Sequence, residues 1–374
     1  MLECIRPVNI VVHAAAKFGK HRVRSTGQFL LILLVLHFIR TSSSGGISLG
    51  AHLVCAKAPG LTDKQRAMCR SSPSAIAAIG DGLKMAYEEC RAQLSGHRWN
   101  CSGVGDGNHF GHVMPLATRE AAFTYAITSA GVTHALSMAC ARGELPGCGC
   151  TGNKRRTINT IEQFQWGGCG SSAYGARLAR RFLDARELER DGRTLMNLHN
   201  NRVGRKVSEV VKDLVHRECK CHGVSGSCAM RTCWRALPQF RAAAATLRDK
   251  YKRAKLVMPH PATNPQDINV RTHLVIKRQK HPGLGRQPRK SELVFLEQSP
   301  SYCEPDTAAG SFGTHGRICN RTSRGEDGCE TLCCGRGYST TRSVEETKCR
   351  CQFHWCCNVT CSKCVTTVET HLCN

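Results

Sequence analysis

Four cysteines surround a serine in the part of the chain whose residue types and spacing most directly indicate chemistry. The cysteines nest one pair inside another, in the order Cys219, Cys221, Cys228 and Cys233. An inner and an outer bridge would therefore staple residues 219–233 into a two-stranded hairpin. Gly223 and Gly226 supply the permissive backbone that a tight reversal needs. Ser225 is then expected at the exposed tip, where its hydroxyl is open to a modifying enzyme or a partner.

This stretch also allows other interpretations. As a turn residue Ser225 would be ordinary, since serine and glycine favour turns. As a hydrolase nucleophile it fits poorly, because Ser227 replaces the last glycine of GxSxG and the loop is not a strand-to-helix elbow. The chain also has no HExxH motif, so an enzyme is not expected. Zinc binding by the CxC and CxxC pairs would suit an intracellular protein, and no metal site is predicted.

The cysteine content indicates an oxidising compartment. The chain has 374 residues and 25 cysteines, far more than a cytosolic protein carries unless they bind metal. Cys4 precedes an apolar run, and the other 24 cysteines are even in number, so complete pairing is feasible. Residues 1–50 are interpreted as a signal peptide region, because a basic segment precedes the apolar run Phe29–Ile39, which spans only about 17 Å as a helix. We therefore expect a secreted protein in the extracellular space and matrix.

The net charge indicates acidic partners. The chain carries a formal charge of +25, and about +20 remains without residues 1–50. In a secreted protein such a surplus favours sulfated glycosaminoglycans over nucleic acid. The local concentrations are 154–156, 277–280 and 286–290. A heparin-binding structural matrix protein is the alternative function that this charge supports.

Apolar periodicity predicts a helical N-terminal domain, residues 51–258. Helices are predicted in these places: one from Ser72-Pro73, one from Thr118 to Gly143, two pieces between Ala176 and His216 separated by Asp191-Gly192, and one from Pro238 to Lys255. The helix from Thr118 is apolar on most sides and should be buried. His199 is interpreted as a packing or hydrogen-bonding residue, because no second ligand lies near it in sequence.

The C-terminal part of the chain differs from the N-terminal domain in composition. Residues 259–292 are basic and rich in proline and glycine, and we interpret them as a linker. Residues 293–374 hold 12 cysteines, so disulfides should provide much of the stability. Nested cysteines at 349–364 predict a second stapled hairpin with Phe353 and Trp355 toward its tip. These rings indicate a binding surface, although they could also fold back onto the small domain.

Several motifs together resemble the Wnt family of secreted, lipid-modified signalling glycoproteins. They are CKCHGVSGSCAMRTCW at 219–234, RWNCS at 98–102, TREAAFTYAI at 118–127, FQWGGC at 164–169, LMNLHNN at 195–201, CCGRGY at 333–338 and CQFHWCC at 351–357. The resemblance covers essentially all of residues 55–374. It implies a mainly α N-terminal domain with a stapled β-hairpin, plus a small cysteine-rich β-hairpin C-terminal domain. One local departure is Gly170-Ser171-Ser172, where family members often have Ser-Asp-Asn.

The resemblance implies specific roles for residues of the two hairpins. Ser225 would carry a palmitoleate ester, and both tips would grip the cysteine-rich domain of a Frizzled receptor and trigger Wnt signalling in development. The implied receptor-binding residues are Val224, Ser225, Gly226, Phe353, Trp355, Cys356, Cys357 and Val359. The implied partners are the acyltransferase Porcupine, the carrier Wntless and an LDL-receptor-related or other co-receptor, and the lipid would hold the protein at membranes. No cofactor is implied beyond the covalent lipid and N-glycans.

The resemblance also implies a disulfide framework. The family pattern pairs Cys90 with Cys101, Cys140 with Cys148, Cys150 with Cys169, Cys303 with Cys334, Cys319 with Cys329, Cys333 with Cys373, Cys349 with Cys364, Cys351 with Cys361 and Cys356 with Cys357. Cys55 with Cys69 and the two pairs of the first hairpin complete twelve bridges. From the residues alone, Cys356 and Cys357 either pair with each other or reach two other partners, and we prefer the first. Sequons make Asn100, Asn320 and Asn358 candidate N-glycan sites. Strand alternation would put Asn358 on the face opposite Val359, whereas a glycan that covered the tip would put the receptor contact of the second hairpin in doubt.

Overall fold

The computed structural model describes residues 55, 60–104, 116–145, 148, 172–187, 191–212, 216–236, 239–261, 272–277, 285–307, 309–354 and 358–374. Residues 58–374 form one compact unit. The predicted signal peptide region lies outside the described residues. Within the described ranges, no helix has the length and apolarity that crossing a bilayer requires.

Helices dominate the first part of this unit and strands the second. The helices are α1 Asp63–Ser71, α2 Pro73–Gln93, α3 Arg119–Ala141, α4 Ser172–Leu183, α5 Gly192–Lys212, α6 Phe240–Lys252 and α7 Cys329–Leu332. The strands are β1 His216–Cys221, β2 Arg231–Ala236, β3 Lys255–Pro261, β4 Thr272–Ile276, β5 Val294–Phe295, β6 Pro305–Asp306, β7 Ser311–Phe312, β8 Ile318–Cys319, β9 Tyr338–His354 and β10 Asn358–Cys373. The predicted mixture of a helical N-terminal part and a cysteine-rich β C-terminal part is confirmed.

Helix α3 is the element against which α2, α4, α5 and α6 pack. It is buried on nearly every side, as its composition predicts. Four of its hydroxyls donate to the carbonyl four residues earlier at 2.7–2.8 Å, those of Thr124, Thr128, Thr133 and Ser137. Because these groups are satisfied inside the helix, burying them costs little. Gly143, with φ of 75°, follows the last turn as predicted.

The α2–α3 contact depends on the absence of a side chain. A Cβ on Gly82 would lie 2.6 Å from Cα of Val132, so only glycine lets the two backbones approach this closely. A glycine inside a helix costs roughly 0.5–1 kcal/mol relative to alanine. Tertiary packing of α2 offsets that cost, since Ile79 and Leu83 are buried in the same core.

Helix ends differ from the predicted ones where a strand begins. Helical periodicity predicts a helix through His216, yet that residue starts β1. The predicted helix to Lys255 ends at Lys252, and Lys255 opens β3. Helix α1 has no counterpart among the predicted helices. It is short and polar, and a capping box at Thr62 and Gln65 starts it.

The segment interpreted as a linker carries part of the core. Strand β3 pairs antiparallel with β4 and parallel with β5. Leu274 and Val275 of β4 are 7% and 3% exposed, and Leu293 beside β5 is fully buried. The core therefore continues into strand β4, inside residues 259–292. The boundaries drawn there between two domains stay predictions.

Two polar clusters tie the C-terminal part to the helices. The carboxylate of Glu120 on α3 accepts hydrogen bonds from Tyr251 at 2.9 Å, Ser299 at 2.6 Å and Tyr302 at 2.9 Å. Burial and the adjacent carboxylate raise the pKa of both tyrosines. At the end of α2, Arg317 donates at 2.6–2.8 Å to the carbonyls of Ser95, His97 and Arg98. Arg317 directly precedes β8, so this contact anchors the sheet that holds the second hairpin.

Candidate functional site

The first hairpin is built as the nested cysteines predict. Strands β1 and β2 are antiparallel, and their register places Cys219 opposite Cys233. Disulfides join Cys219 to Cys233 and Cys221 to Cys228, with Cα separations of 4.0 and 4.6 Å. One bridge therefore clamps the strands, and the other closes the loop that they carry.

The loop between the inner cysteines is a tight turn held by backbone hydrogen bonds. Residues Val224–Gly226 make a tight turn in which Ser225 and Gly226 both have positive φ. The amide of Gly223 donates to the carbonyl of Ser227 at 2.8 Å, and the amide of Gly226 donates to the carbonyl of Gly223 at 2.9 Å. The tip consequently has a defined shape despite its exposure.

The two glycines of the loop serve different purposes. Gly226 has φ of 76°, a conformation that residues with a Cβ adopt only under strain. Gly223 has an ordinary φ of −67°, but a Cβ there would lie 2.5 Å from the carbonyl oxygen of Ser227. One glycine is needed for its backbone angle, and the other for the space that it leaves.

Ser225 itself has a left-handed backbone, which the sequence reasoning missed. Its φ is 57° and its ψ is 27°, a region that costs a non-glycine residue of order 1–3 kcal/mol. Ser225 is exposed, and its hydroxyl makes no hydrogen bond to any residue that the structure describes. The loop thus holds one serine with a strained backbone at the surface of the protein.

Apolar side chains accompany this serine in the loop. Val224 precedes it and is 90% exposed, and Met230, on the return side of the loop, is 68% exposed. Exposed apolar groups in one small loop are typical of a surface that is covered when a partner binds. Met230 is not among the predicted contact residues, because nothing in the sequence shows that it remains exposed.

The second hairpin is a long two-stranded ribbon. Strands β9 and β10 pair antiparallel along almost their entire length, and β8 adds two residues at the base. The ribbon is crossed near its outer end by two disulfides, Cys349–Cys364 and Cys351–Cys361. Most of the ribbon is exposed, so these cross-links replace the core that ordinarily holds a sheet.

A bulge interrupts the ribbon between its two disulfides. Thr360 pairs with Gln352, whereas Ser362 pairs with Cys349, so β9 has one more residue than β10 in this interval. Arg350 lies in the bulge with φ of 47°. A bulge of this kind bends the strand and increases its twist, so it changes the direction of the ribbon tip.

The described part of the ribbon tip presents an apolar pair. Phe353 and Val359 are cross-strand partners and are 68% and 54% exposed. Asn358 is exposed and neighbours Val359 in β10, so alternation places the sequon on the opposite face. Trp355, Cys356 and Cys357 lie outside the described residues, so their roles and the bridge between the two cysteines stay predictions.

The other two sequons have ordered side-chain geometry. The Asn320 side-chain oxygen accepts from the amide and hydroxyl of Thr322 at 3.0 and 2.9 Å, on an exposed turn. The Asn100 side-chain oxygen accepts from the amide and hydroxyl of Ser102 in the same way, in a half-buried position.

The expected disulfide framework is present wherever the structure describes both cysteines of a pair and their bond. Four bridges belong to the two hairpins. Five more join Cys90 to Cys101, Cys140 to Cys148, Cys303 to Cys334, Cys319 to Cys329 and Cys333 to Cys373. These nine bridges match the pairing that the family resemblance implies.

For the remaining three expected bridges, the bond between the two paired cysteines is not described. Cys55 and Cys69 are both disulfide-bonded, as their predicted pairing requires. Cys150 and Cys169 lie outside the described residues, as Cys356 and Cys357 do, so the pairs Cys150–Cys169 and Cys356–Cys357 stay predictions.

The sulfurs of Cys319, Cys333 and Cys373 lie within 4.8 Å of one another, a spacing that would suit a metal ion. Each is oxidised in a disulfide, whereas metal ligation requires thiolates. These three sulfurs therefore form part of the disulfide core of the C-terminal part.

Comparisons with known proteins agree with this architecture. The model of the wnt family matches residues 57–374. Protein Wnt-2 of Drosophila melanogaster is 48% identical over 333 residues, which cover 86% of this chain and 92% of that protein. Protein Wnt-2b-A of Xenopus laevis is 46% identical over 351 residues, which cover 92% and 95%.

The fold is shared with solved structures of the family. An example is human WLS in complex with WNT8A, matched with a TM-score of 0.51 and 32% identity over 80% of this chain and 93% of that chain. Because the family model spans most of the chain and both relatives exceed 45% identity, the assignment does not depend on the hairpins alone. The chain belongs to the Wnt family of secreted signalling ligands.

Proposed function

We propose that this Wnt ligand carries a palmitoleate ester on Ser225 and binds the cysteine-rich domain of Frizzled receptors through that lipid. The observation that carries the proposal is the exposed, left-handed Ser225 at the tip of a doubly stapled hairpin. In the proposed step the Ser225 oxygen attacks the carbonyl of an acyl thioester. The ester bond forms, the thioester bond breaks, and the hydroxyl proton leaves with the thiol.

The lipid would supply most of the binding energy. A 16-carbon chain buries about 0.8 kcal/mol per methylene, so on the order of 10 kcal/mol gross is available for burial in a groove or membrane. Val224 and Met230 would extend the same apolar surface from the chain onto the protein. A ligand anchored in this way stays near membranes and acts over short distances.

The ribbon would make the second contact. Phe353 and Val359 offer an exposed apolar pair, and they flank the predicted contact residues Trp355, Cys356 and Cys357 in sequence. A glycan on Asn358 would project from the other face and leave this pair open. Arg317 ties the base of the ribbon to α2, which holds the ribbon steady for such a contact.

The proposed partners follow from the family. Porcupine would acylate Ser225, and Wntless would escort the acylated chain, a step supported by the solved complex of human WLS with WNT8A. An LDL-receptor-related or other co-receptor would complete the signalling complex in development. Heparan sulfate proteoglycans would retain the basic chain in the extracellular matrix, with N-glycans on Asn100, Asn320 and Asn358.

Mass spectrometry of the secreted protein tests the lipid. We expect the peptide containing Ser225 to carry one mono-unsaturated C16 acyl group, and Ser225→Ala to lose both the mass increase and receptor activation. Ser227→Ala is the matched control, because it removes a neighbouring hydroxyl from the same exposed loop. An unmodified Ser225 in protein that activates cells would refute the proposal.

The ribbon contact has its own matched pair of variants. Phe353 and Val344 lie on the same strand and are 68% and 67% exposed, but only Phe353 is near the tip. We expect Phe353→Ala to weaken binding to the receptor's cysteine-rich domain about tenfold or more, the size of a modest hot spot. Val344→Ala should leave binding unchanged. Equal losses would mean that the tip has no special role.

A further inference from the structure

A groove runs between α1, α4 and α5, away from both hairpins in sequence. Two adjoining cavities of 630 and 890 Å³ share the residues Arg177, Arg180, Asp184 and Leu198, so together they form one continuous depression. We call it the α1–α4–α5 groove. Seven lysine or arginine side chains line it, against three carboxylates.

The carboxylates of the groove are largely engaged. Asp184 accepts both ends of the Arg205 guanidinium at 2.9 and 3.0 Å. Glu187 accepts a hydrogen bond from Asn197 at 3.1 Å. Two of the three acids are therefore engaged by groups at the base of the groove, and of the outer cations only Arg180 lies within ion-pair distance of a described carboxylate, Asp184 at 3.8 Å.

Five of the groove's seven cations have no ion-pair partner among the described residues: Lys64 on α1 and four on the other two helices. Arg177, Arg181, Arg202 and Lys206 are exposed, and none of them makes an ion pair within the part of the chain that the structure describes. Arg177 and Arg181 are four residues apart on α4, as Arg202 and Lys206 are on α5. Like charges at this spacing repel each other on a helix. Folding therefore does not explain the cluster, whereas an anionic ligand would.

Half-buried apolar side chains also line the groove. Leu198 belongs to both cavities, Ala176 lies on one side and Met68 on the other. A groove lined by exposed, unpaired cations and by half-buried apolar side chains fits a chain of sugar rings that bears repeated anionic groups. Guanidinium groups bind sulfate with paired donors, and the ring faces can lie against the apolar side chains.

We propose that the α1–α4–α5 groove is a binding site for a linear sulfated polysaccharide. The ligand class rests on the secretion assumed under the proposed function, since outside the cell such polysaccharides are the polyanions that a basic groove meets. The basic run 286–290 fits such a site less well. In the run 286–290, Arg286 already forms a two-pronged ion pair with Glu292 at 2.9 and 2.6 Å.

Heparin affinity measured across a salt series tests the site. The groove variant combines Arg177→Ala, Arg202→Ala and Lys206→Ala. The control combines Arg241→Ala, Lys252→Ala and Arg253→Ala, which removes the same charge from exposed positions on and next to α6. Both variants should be secreted and folded, because every substituted side chain is exposed.

The expected result is specific to the groove. If release of counterions from heparin resembles that from nucleic acids, each lost contact reduces the slope of log affinity against log salt by about 0.7–0.9. The groove variant should therefore lose about two units of slope and at least tenfold in affinity at physiological salt. The control should lose less than threefold. The affinity for desulfated heparin should be weak, and it should be the same for both variants and for the unchanged chain.

Three outcomes would overturn the proposal. Equal losses in both triple variants would show that the affinity comes from overall charge. Unchanged heparin binding with weaker binding to a co-receptor ectodomain would make the groove a protein interface. Retained affinity for desulfated heparin would show that sulfate is not recognised. Acylation of Ser225, measured on the same samples, separates this result from the proposed lipid function, because either can fail while the other stands.

Discussion

Replacing Gly223 by alanine should change the shape of the loop that carries Ser225 and leave the Ser225 hydroxyl in place. The new Cβ would lie 2.0 Å from the Ser227 hydroxyl oxygen and 2.5 Å from its carbonyl oxygen. The hydroxyl can rotate away, but the carbonyl belongs to the backbone, so the loop must open by about half an ångström or more. That movement stretches the 2.8 Å hydrogen bond between the Gly223 amide and the Ser227 carbonyl. Overpacking and the weakened bond together should cost about 1–3 kcal/mol.

The loop cannot relax that strain by unfolding, because the disulfide between Cys221 and Cys228 keeps it closed. We therefore expect a changed tip conformation on an intact hairpin. If acylation requires Ser225 to be held outward, the acylated fraction of secreted Gly223→Ala protein should fall at least threefold. Mass spectrometry of the Ser225 peptide measures that fraction. Hydrogen exchange at the Gly226 and Ser227 amides should become faster at the same time.

Gly226→Ala is the matched control. Nothing lies within 4 Å of a Cβ at this position, so the only cost is its φ of 76°, about 1–2 kcal/mol. The turn should keep its shape, and Ser225 should be acylated nearly as in the unchanged chain. If Gly223→Ala were acylated normally while its amides exchanged faster, the shape of the tip would not govern acylation, and our reasoning about the strained serine would be wrong.

Three further predictions concern the framework. Glu120→Gln should lower the free energy of unfolding by about 1–3 kcal/mol in urea titrations with disulfides intact, because three hydroxyl donors lose a charged acceptor. Arg317→Ala should cost about 2–3 kcal/mol and speed hydrogen exchange at the base of the ribbon, while Arg317→Lys should recover part of the loss. Burial holds the pKa values of His97, His134 and His199 below the ordinary 6.5. The unfolded chain then binds more protons, so stability should be complete above pH 6.5 and decline as the pH falls below it; His134→Phe should make the decline shallower.

Local rules made most of the helical part predictable. The buried helix from Thr118 to Gly143 follows from its composition and a glycine stop, and the hairpin of residues 219–233 follows from nested cysteines. The prediction that His199 serves packing or hydrogen bonding matches its contact with the Glu292 carbonyl at 2.9 Å. Such features depend on residues close together in the chain, or on a pattern that repeats within one element.

Disulfide pairing needed more than local rules. Nesting alone indicates the hairpin bridges, because their cysteines face each other across two short strands. Cys303 with Cys334 and Cys333 with Cys373 are 31 and 40 residues apart, and no spacing rule selects these partners. The family resemblance supplied those pairs, and the fold brings the sulfurs together.

The features that the sequence did not reveal depend on tertiary structure. The left-handed Ser225 and the bulge at Arg350 lie between disulfides that constrain the backbone around them, and no propensity of serine or arginine predicts them. The Glu120 carboxylate joins hydroxyls more than 130 residues away in the chain. Only the fold shows that a buried acid is satisfied there.

The clustering of basic residues could likewise be predicted from the sequence only in part. The net charge predicts acidic partners. The sequence, however, reveals a cluster of positive charge only where basic residues are close together in the chain, as in 286–290. The cations of the α1–α4–α5 groove come from three separate helices, and each helix alone has only a few of them. Packing brings them to one side while Arg205 and Asp184 neutralise each other at the base. A binding surface assembled in this way depends on the helical core, so a loss of core packing should weaken polyanion binding even where no basic residue is changed.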